Sequence, residues 1–159
     1  MIPSVIDYLL QLPEAMHFAK VNELCSDGIS SYRMLSDYGS GTFQVIELEN
    51  NLLLILIGDY KPKDTFEKIT EISEDYLEIS QFETDSSSFK IGGRKRNQVD
   101  KGIYCYLNTQ KKTYTYCEGG KAVRFTKVIL SPQYFQTYFK LHNENTDILL
   151  NAARDYLLK

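Results

Sequence analysis

This chain has no tryptophan, two histidines, three cysteines and four prolines among its 159 residues, and these shortages exclude several functions. His17 and His142 form no His-x-His pair. A catalytic metal on a small β-fold needs several imidazoles and a carboxylate converging on one cation, so metal-dependent catalysis is set aside and no cofactor is expected. Cys25, Cys105 and Cys117 make no C-x-x-C and are odd in number, which argues against a disulfide framework and for a reducing, cytoplasmic setting. The longest apolar run, Leu52 to Ile57, suits one buried strand and falls far short of the roughly 18 residues a membrane span needs. Met1-Ile2-Pro3-Ser4 opens without a basic or an apolar signal region, so no secretory leader is expected. Net charge is −3, which speaks against this chain gripping nucleic acid by itself. Its one basic cluster, Lys90, Arg94, Lys95 and Arg96 around Gly92-Gly93, fits a solvated hairpin tip better than a docking patch.

Nucleophile and phosphate motifs are missing as well. Gly39-Ser40-Gly41 lacks the G-x-S-x-G frame, and Gly92-Gly93-Arg94-Lys95 lacks the spacing of a phosphate loop. An enzyme is therefore not expected.

What is present is alternation. Ser4 to Leu12 carries Val5, Ile6, Leu9 and Leu10 on one helical face and is closed by Pro13, with an irregular, helix-compatible piece over Glu14 to Leu24. Asp27-Gly28 and Ser36 to Gly41 read as breaks. Thr42 to Glu49 and Leu52 to Tyr60 form a hairpin across Glu49-Asn50-Asn51. Tyr76 to Phe82, Gly102 to Asn108, Thr113 to Glu118 and Ala122 to Leu130 are further strands, and turn signals recur every 8–12 residues or so, as in a sandwich or small barrel. Ser131-Pro132 caps and starts a helix carrying Tyr134, Phe135, Tyr138 and Phe139. A last helix follows Asn145-Thr146. The fold class read from this pattern is mainly β with flanking helices. Residues 1–41 form a helical segment and loop, 42–130 a β-barrel or jelly roll, and 131–159 a helical pair, all within one domain.

Three runs resemble the N-terminal effector domain of AraC-type transcription regulators: Asp75 to Glu83, Lys101 to Tyr106, and Val123 to Phe135. The last places Arg124-Phe125, Val128, Leu130, Ser131 and Tyr134-Phe135 on that family's strand-then-helix pattern. The resemblance implies a cupin-like barrel that binds a small effector and a helical pair that forms a homodimer. DNA would be bound only through a downstream domain that this chain does not include. It also implies an extended N-terminal arm in some relatives, whereas Met1 to Leu24 reads more as helix here.

Several residues qualify as site candidates. If Gly102 to Asn108 and Thr113 to Glu118 close as a hairpin, Tyr104 faces Tyr116 and Tyr106 faces Tyr114, so four rings share one surface. That surface is either an aromatic-lined pocket or cross-strand packing on an outer face. Arg124 either reaches solvent, pairs with a carboxylate such as Glu78, or meets an anionic ligand. Glu78, Gln81 and Glu83 are polar positions of one strand able to line a cavity, though their opposed parity means not all face one side. Cys105 and Cys117 on neighbouring strands read as buried thiols rather than a redox pair. Ile148, Leu149, Ala152, Ala153, Tyr156 and Leu157 make a stripe wider than one packing seam, suited to dimerisation or to docking on the same domain. Three functions fit these residues: an effector-sensing and dimerisation domain, a metal-independent isomerase or lyase using tyrosine and glutamate, and a dimerisation domain with a filled interior. A sugar would use the tyrosines, and a fatty acid would use an apolar tunnel with a cation at its mouth.

Overall fold

In the computed structural model, residues 5–49, 52–72, 75–84, 87–91, 97–99, 101–108, 112–131 and 133–134 are described. They open with α1 (Val5–Ala15), β1 (Phe18–Lys20), a 3-10 turn (Asn22–Leu24), β2 (Ile29–Met34), β3 (Gly39–Leu48) and β4 (Leu53–Pro62). There follow β5 (Phe66–Thr70), β6 (Tyr76–Phe82), β7 (Ser87–Ile91), β8 (Asn97–Val99), β9 (Gly102–Asn108), β10 (Thr113–Cys117) and β11 (Val123–Leu130). The strands form two antiparallel sheets, one of seven in the order β1-β2-β3-β4-β11-β6-β9 and one of four in the order β5-β10-β7-β8. From β4 onward the chain changes sheet at every connection except β7 to β8, the crossing pattern of a jelly roll.

Strand content and the β3–β4 hairpin follow the sequence expectation, with Leu48 paired to Leu53 and Gly39 to Pro62. Three expectations need correction. Among the described residues no ladder joins the two sheets, so the architecture is a two-sheet sandwich and not a closed barrel. The described α-helix is N-terminal, while the expected helical pair of 131–159 lies almost wholly outside the described residues. Residues 1–41 are not merely helix and loop, because β1, β2 and the start of β3 lie there. Gly39 and Gly41 account for the start of β3. Each has positive φ and lies so close to β4 that a Cβ would strike the carbonyl of Lys61 or Asp59. The glycines that suggested a loop permit a tight strand approach.

Alternation sets the core. Phe43 and Val45 of β3, Leu54 and Leu56 of β4, and Val123, Phe125 and Ile129 of β11 point inward and are buried. Edge-on aromatic contacts tie them together: Phe18 to Phe43 at 5.6 Å, Phe18 to Tyr60 at 5.3 Å, and Phe43 to Phe125 at 5.9 Å between ring centroids. Gly58, opposite Phe125 in the ladder, leaves room for that ring. The outer face of the large sheet is also apolar. Leu48, Leu53, Leu130 and Leu77 align across four strands, and Ile46, Ile55, Val128 and Ile79 form the adjacent row. This is why Leu52 to Ile57 is apolar without a break: β4 carries aliphatic side chains on both faces.

α1 presents Tyr8, Leu9 and Leu12 along one side, and Tyr8 and Leu9 are buried against the sheets. It runs past Pro13 to Ala15, where the Met16 amide donates to the Leu12 and Pro13 carbonyls. Proline forgoes one helical hydrogen bond here, and its ring is itself fully buried.

Candidate functional site

Between the two sheets, beneath α1, lies a cavity of about 100 Å³. Its apolar walls come from Leu56, Phe125 and Ile129 of the large sheet, Phe66 of β5, and Leu9 and Leu12 of α1. Polar groups interrupt them at a few points, as small-molecule sites require. Tyr76, Glu78 and Lys127 line one side, and Tyr8, Lys68 and Thr70 line another.

The first polar group is an ion pair inside the sandwich. Glu78, on the inward phase of β6, is 4% exposed. It accepts a hydrogen bond from the Ser80 hydroxyl at 2.5 Å and meets the Lys127 ammonium at 3.0 Å. Lys127 occupies the inward phase of β11 between Phe125 and Ile129, where its ammonium lies 5.2 Å from the Phe125 ring centroid and 5.4 Å from that of Phe82. A buried carboxylate is tolerable only with such partners.

The second polar group holds α1 in place. The Tyr8 and Thr70 hydroxyls are hydrogen-bonded at 2.7 Å, and the Lys68 ammonium stands 5.7 Å from the Tyr8 ring centroid. Burial raises the Tyr8 phenol above its ordinary value, partly offset by the Thr70 bond, and burial lowers the Lys68 ammonium below its own. Deeper in, Tyr60 contacts Cys117 across the sheets at 3.9 Å. Burial, with Cys117 adding to it, holds the Tyr60 phenol well above its usual value.

Of the residues expected from the sequence, Glu78 alone is placed at the cavity with its side chain described. The four-tyrosine surface does not form: β9 pairs with β6 in one sheet, and β10 pairs with β5 and β7 in the other. Tyr104 lies opposite Ser80 and packs edge-on against Phe82 at 5.9 Å. Tyr106 lies opposite Glu78 in the ladder, its side chain being outside the described residues. Thr115 of β10 lines the cavity and Cys117 is buried, so Tyr114 and Tyr116 sit on the opposite phase. Arg124 projects from the outer face, 3.3 Å from Asp59 and 3.7 Å from Glu83, and does not meet Glu78. Cys105 is exposed and Cys117 buried on different sheets, so they are not neighbours. Ile148, Leu149, Ala152, Ala153, Tyr156 and Leu157 lie outside the described residues, as do Arg94, Lys95 and Arg96 of the basic cluster.

Lys127, Lys68, Tyr8 and Ser80 were not singled out by the sequence reading. Lys127 carried a usable signal: it breaks the apolar phase Val123, Phe125, Ile129, while Glu78 breaks the inward phase of the neighbouring strand. Oppositely charged intrusions on adjacent strands mark an internal pair. Tyr8 and Lys68 carried none, because their meeting depends on how α1 folds over β5.

Among the described residues, no three His, Cys, Asp or Glu side chains converge to hold a cation, and no helix is long and apolar enough to cross a membrane. His17 follows α1 with φ 65°, its ring stacked on Tyr38 at 3.7 Å, beside an open surface hollow of about 440 Å³.

No family model matches this sequence, and neither does any curated protein. Among solved structures, the chain is similar to the cupin domain of Cnp3 from Schizosaccharomyces pombe, with a TM-score of 0.44 and 10% identity over 57% of this chain and 60% of that one. It is similar to the plu4264 protein from Photorhabdus luminescens (TM-score 0.47, 11% identity, 77% of this chain and 88% of that one). It is also similar to ectoine synthase from P. lautus (TM-score 0.42, 11% identity, 82% of this chain and 78% of that one). Likenesses at this level decide neither ligand nor activity.

Proposed function

We propose that this chain is a small-molecule-binding domain of cupin-like type that serves as the sensing and dimerisation part of a cytoplasmic, AraC-type transcription regulator. The observation that carries the reading is the cavity between the sheets, roofed by α1 and lined with an apolar wall and a few convergent polar groups. The Tyr8 to Thr70 bond fastens that roof at one point. A ligand with different affinity for the fastened and released arrangements shifts the balance between them, which is what a sensor needs. The AraC-type assignment rests on the resemblance of the β6, β9 and β11 sequences. Homodimerisation, and DNA contact through a further domain, come with that resemblance.

A binding role is favoured over catalysis because the carboxylate in the cavity is held by Lys127 and Ser80. A general base must be free to take a proton from substrate. Native mass spectrometry of the protein purified from bacterial cytosol, set against its denatured mass, tests the reading. A dimer carrying a small-molecule adduct is the expected result. A bare monomer that acquires no mass from a metabolite extract would count against both sensing and dimerisation.

A further inference from the structure

Charge on the cavity wall is unbalanced. Of the charged side chains that line it, Lys68 and Lys127 are cationic and Glu78 is anionic, leaving one positive charge in excess. Lys127 is matched to Glu78 at 3.0 Å. Lys68 has no carboxylate partner among the described residues, and its ammonium stands 5.7 Å from the Tyr8 ring centroid. It is half-buried, and burial makes its charged form less favourable there. The bonded hydroxyls of Tyr8 and Thr70 line the same cavity as Lys68 and are able to donate to or accept from a ligand oxygen. Facing this polar corner is an aliphatic and aromatic wall of Leu9, Leu56 and Ile129 with Phe66 and Phe125. A cavity of about 150 Å³ accepts a benzene-sized molecule, so 100 Å³ takes about four or five non-hydrogen atoms.

We infer that the ligand of this cavity is a short aliphatic monocarboxylate, its carboxylate on Lys68 and its alkyl end against Leu56 and Ile129. The inference rests on the binding-domain reading above and narrows it to one chemical class. A single excess positive charge matches a single carboxylate, and a charge-assisted hydrogen bond from a partly desolvated ammonium is stronger than a neutral one. A dianion such as phosphate would leave one charge unmatched and present oxygen to the apolar wall. Neutral molecules of the same shape would leave Lys68 as it is, without a counter-charge. Tyr8 bonds Thr70 and its ring lies by Lys68, so ligand on Lys68 acts directly on the contact that fastens α1.

The test is calorimetric titration of the full chain with propionate, propionamide, 1-propanol and inorganic phosphate, repeated on Lys68→Met. The expected result is propionate binding at least tenfold tighter than propionamide or 1-propanol, no binding of phosphate, and loss of that preference in Lys68→Met. A melting temperature close to that of the parent certifies that the variant is folded, and Lys68→Arg, which keeps the charge, retains the preference. Equal binding of propionate and propionamide, or an unchanged preference in Lys68→Met, overturns the carboxylate assignment and leaves the binding-domain reading standing. Phosphate binding without propionate binding does the same. Failure of all four probes overturns the carboxylate assignment, and an added absence of any native mass adduct then removes the binding-domain reading too.

Discussion

Removing the cation from the internal ion pair gives the sharpest test of how this interior is built. Lys127→Met keeps an unbranched side chain of similar length between Phe125 and Ile129 but takes the cation away from the Glu78 carboxylate, which is 4% exposed and still accepts from Ser80. At 3.0 Å and an effective dielectric of about 20, the lost attraction is ~5 kcal/mol. Breaking a buried pair typically destabilises by about 3–5 kcal/mol. Lys127 is 24% exposed, so its own desolvation and the pair's net gain are both partial, and about 2–4 kcal/mol is the expected loss. Glu78→Gln is milder, about 1–2 kcal/mol, because the amide oxygen still accepts from Ser80 and the stranded ammonium has a route to solvent. Combining the two changes removes both charges, so the double variant is expected to be more stable than Lys127→Met alone, with a coupling of about 2 kcal/mol. Urea unfolding followed by circular dichroism or tyrosine fluorescence suits a chain with twelve tyrosines and no tryptophan. Additive single losses, or a loss below about 0.5 kcal/mol for Lys127→Met, would refute the claim of a desolvated, mutually dependent pair.

Three other perturbations have determinate outcomes. Gly58→Ala places a methyl 2.7 Å from the Phe125 ring carbons and is expected to destabilise by about 1–3 kcal/mol through overpacking, read as a lower urea midpoint at unchanged slope. Tyr8→Phe removes the bond to Thr70, with a loss of about 1 kcal/mol and faster amide exchange concentrated in α1; unchanged exchange there would mean the bond does not fasten the helix. Tyr60 has a folded pKa well above 10.0, so its contribution is fully present below pH 10 and is lost as pH rises toward the folded value, by at most about 1.4 kcal/mol per pH unit. Tyr60→Phe should therefore flatten the alkaline fall in stability, and an equally steep fall would show that Tyr60 ionises freely in the fold.

Legibility of this chain from sequence divides along a physical line. Strands with clear alternation of their own were readable, as Tyr76 to Phe82 matches β6, and so was the local β3–β4 hairpin, which follows from its turn and its apolar phases. Pairing between distant strands was not. Gly102 to Asn108 and Thr113 to Cys117 are real strands separated by a short connection, which invites a hairpin. The chain instead uses that connection to cross between sheets, since β9 completes a ladder with β6 and β10 one with β5. Local chemistry cannot distinguish a hairpin turn from a crossing of the same length, and the tyrosine surface fell with that choice. Glu78 stood with Gln81 and Glu83 as polar positions of one strand able to line a cavity, and pairing with Glu78 was one of several readings of Arg124; Glu78 meets Lys127 instead. Arg124 stands beside Phe125 in sequence yet faces outward to Asp59 and Glu83, while Lys127 faces in. The roof was the least legible part, because α1 is an ordinary amphipathic helix until Tyr8 finds Thr70 sixty-two residues away.

The central claim is that the space beneath α1 admits a small molecule. Methyl-resolved NMR of the full chain, titrated with propionate, propionamide and 1-propanol, tests it most directly. At least one probe is expected to shift the methyls of Leu9, Leu56 and Ile129, which face the cavity and are at most 6% exposed. Shifts confined to the exposed Leu24, Leu35 and Ile69, with the interior methyls unmoved at saturation, would contradict it.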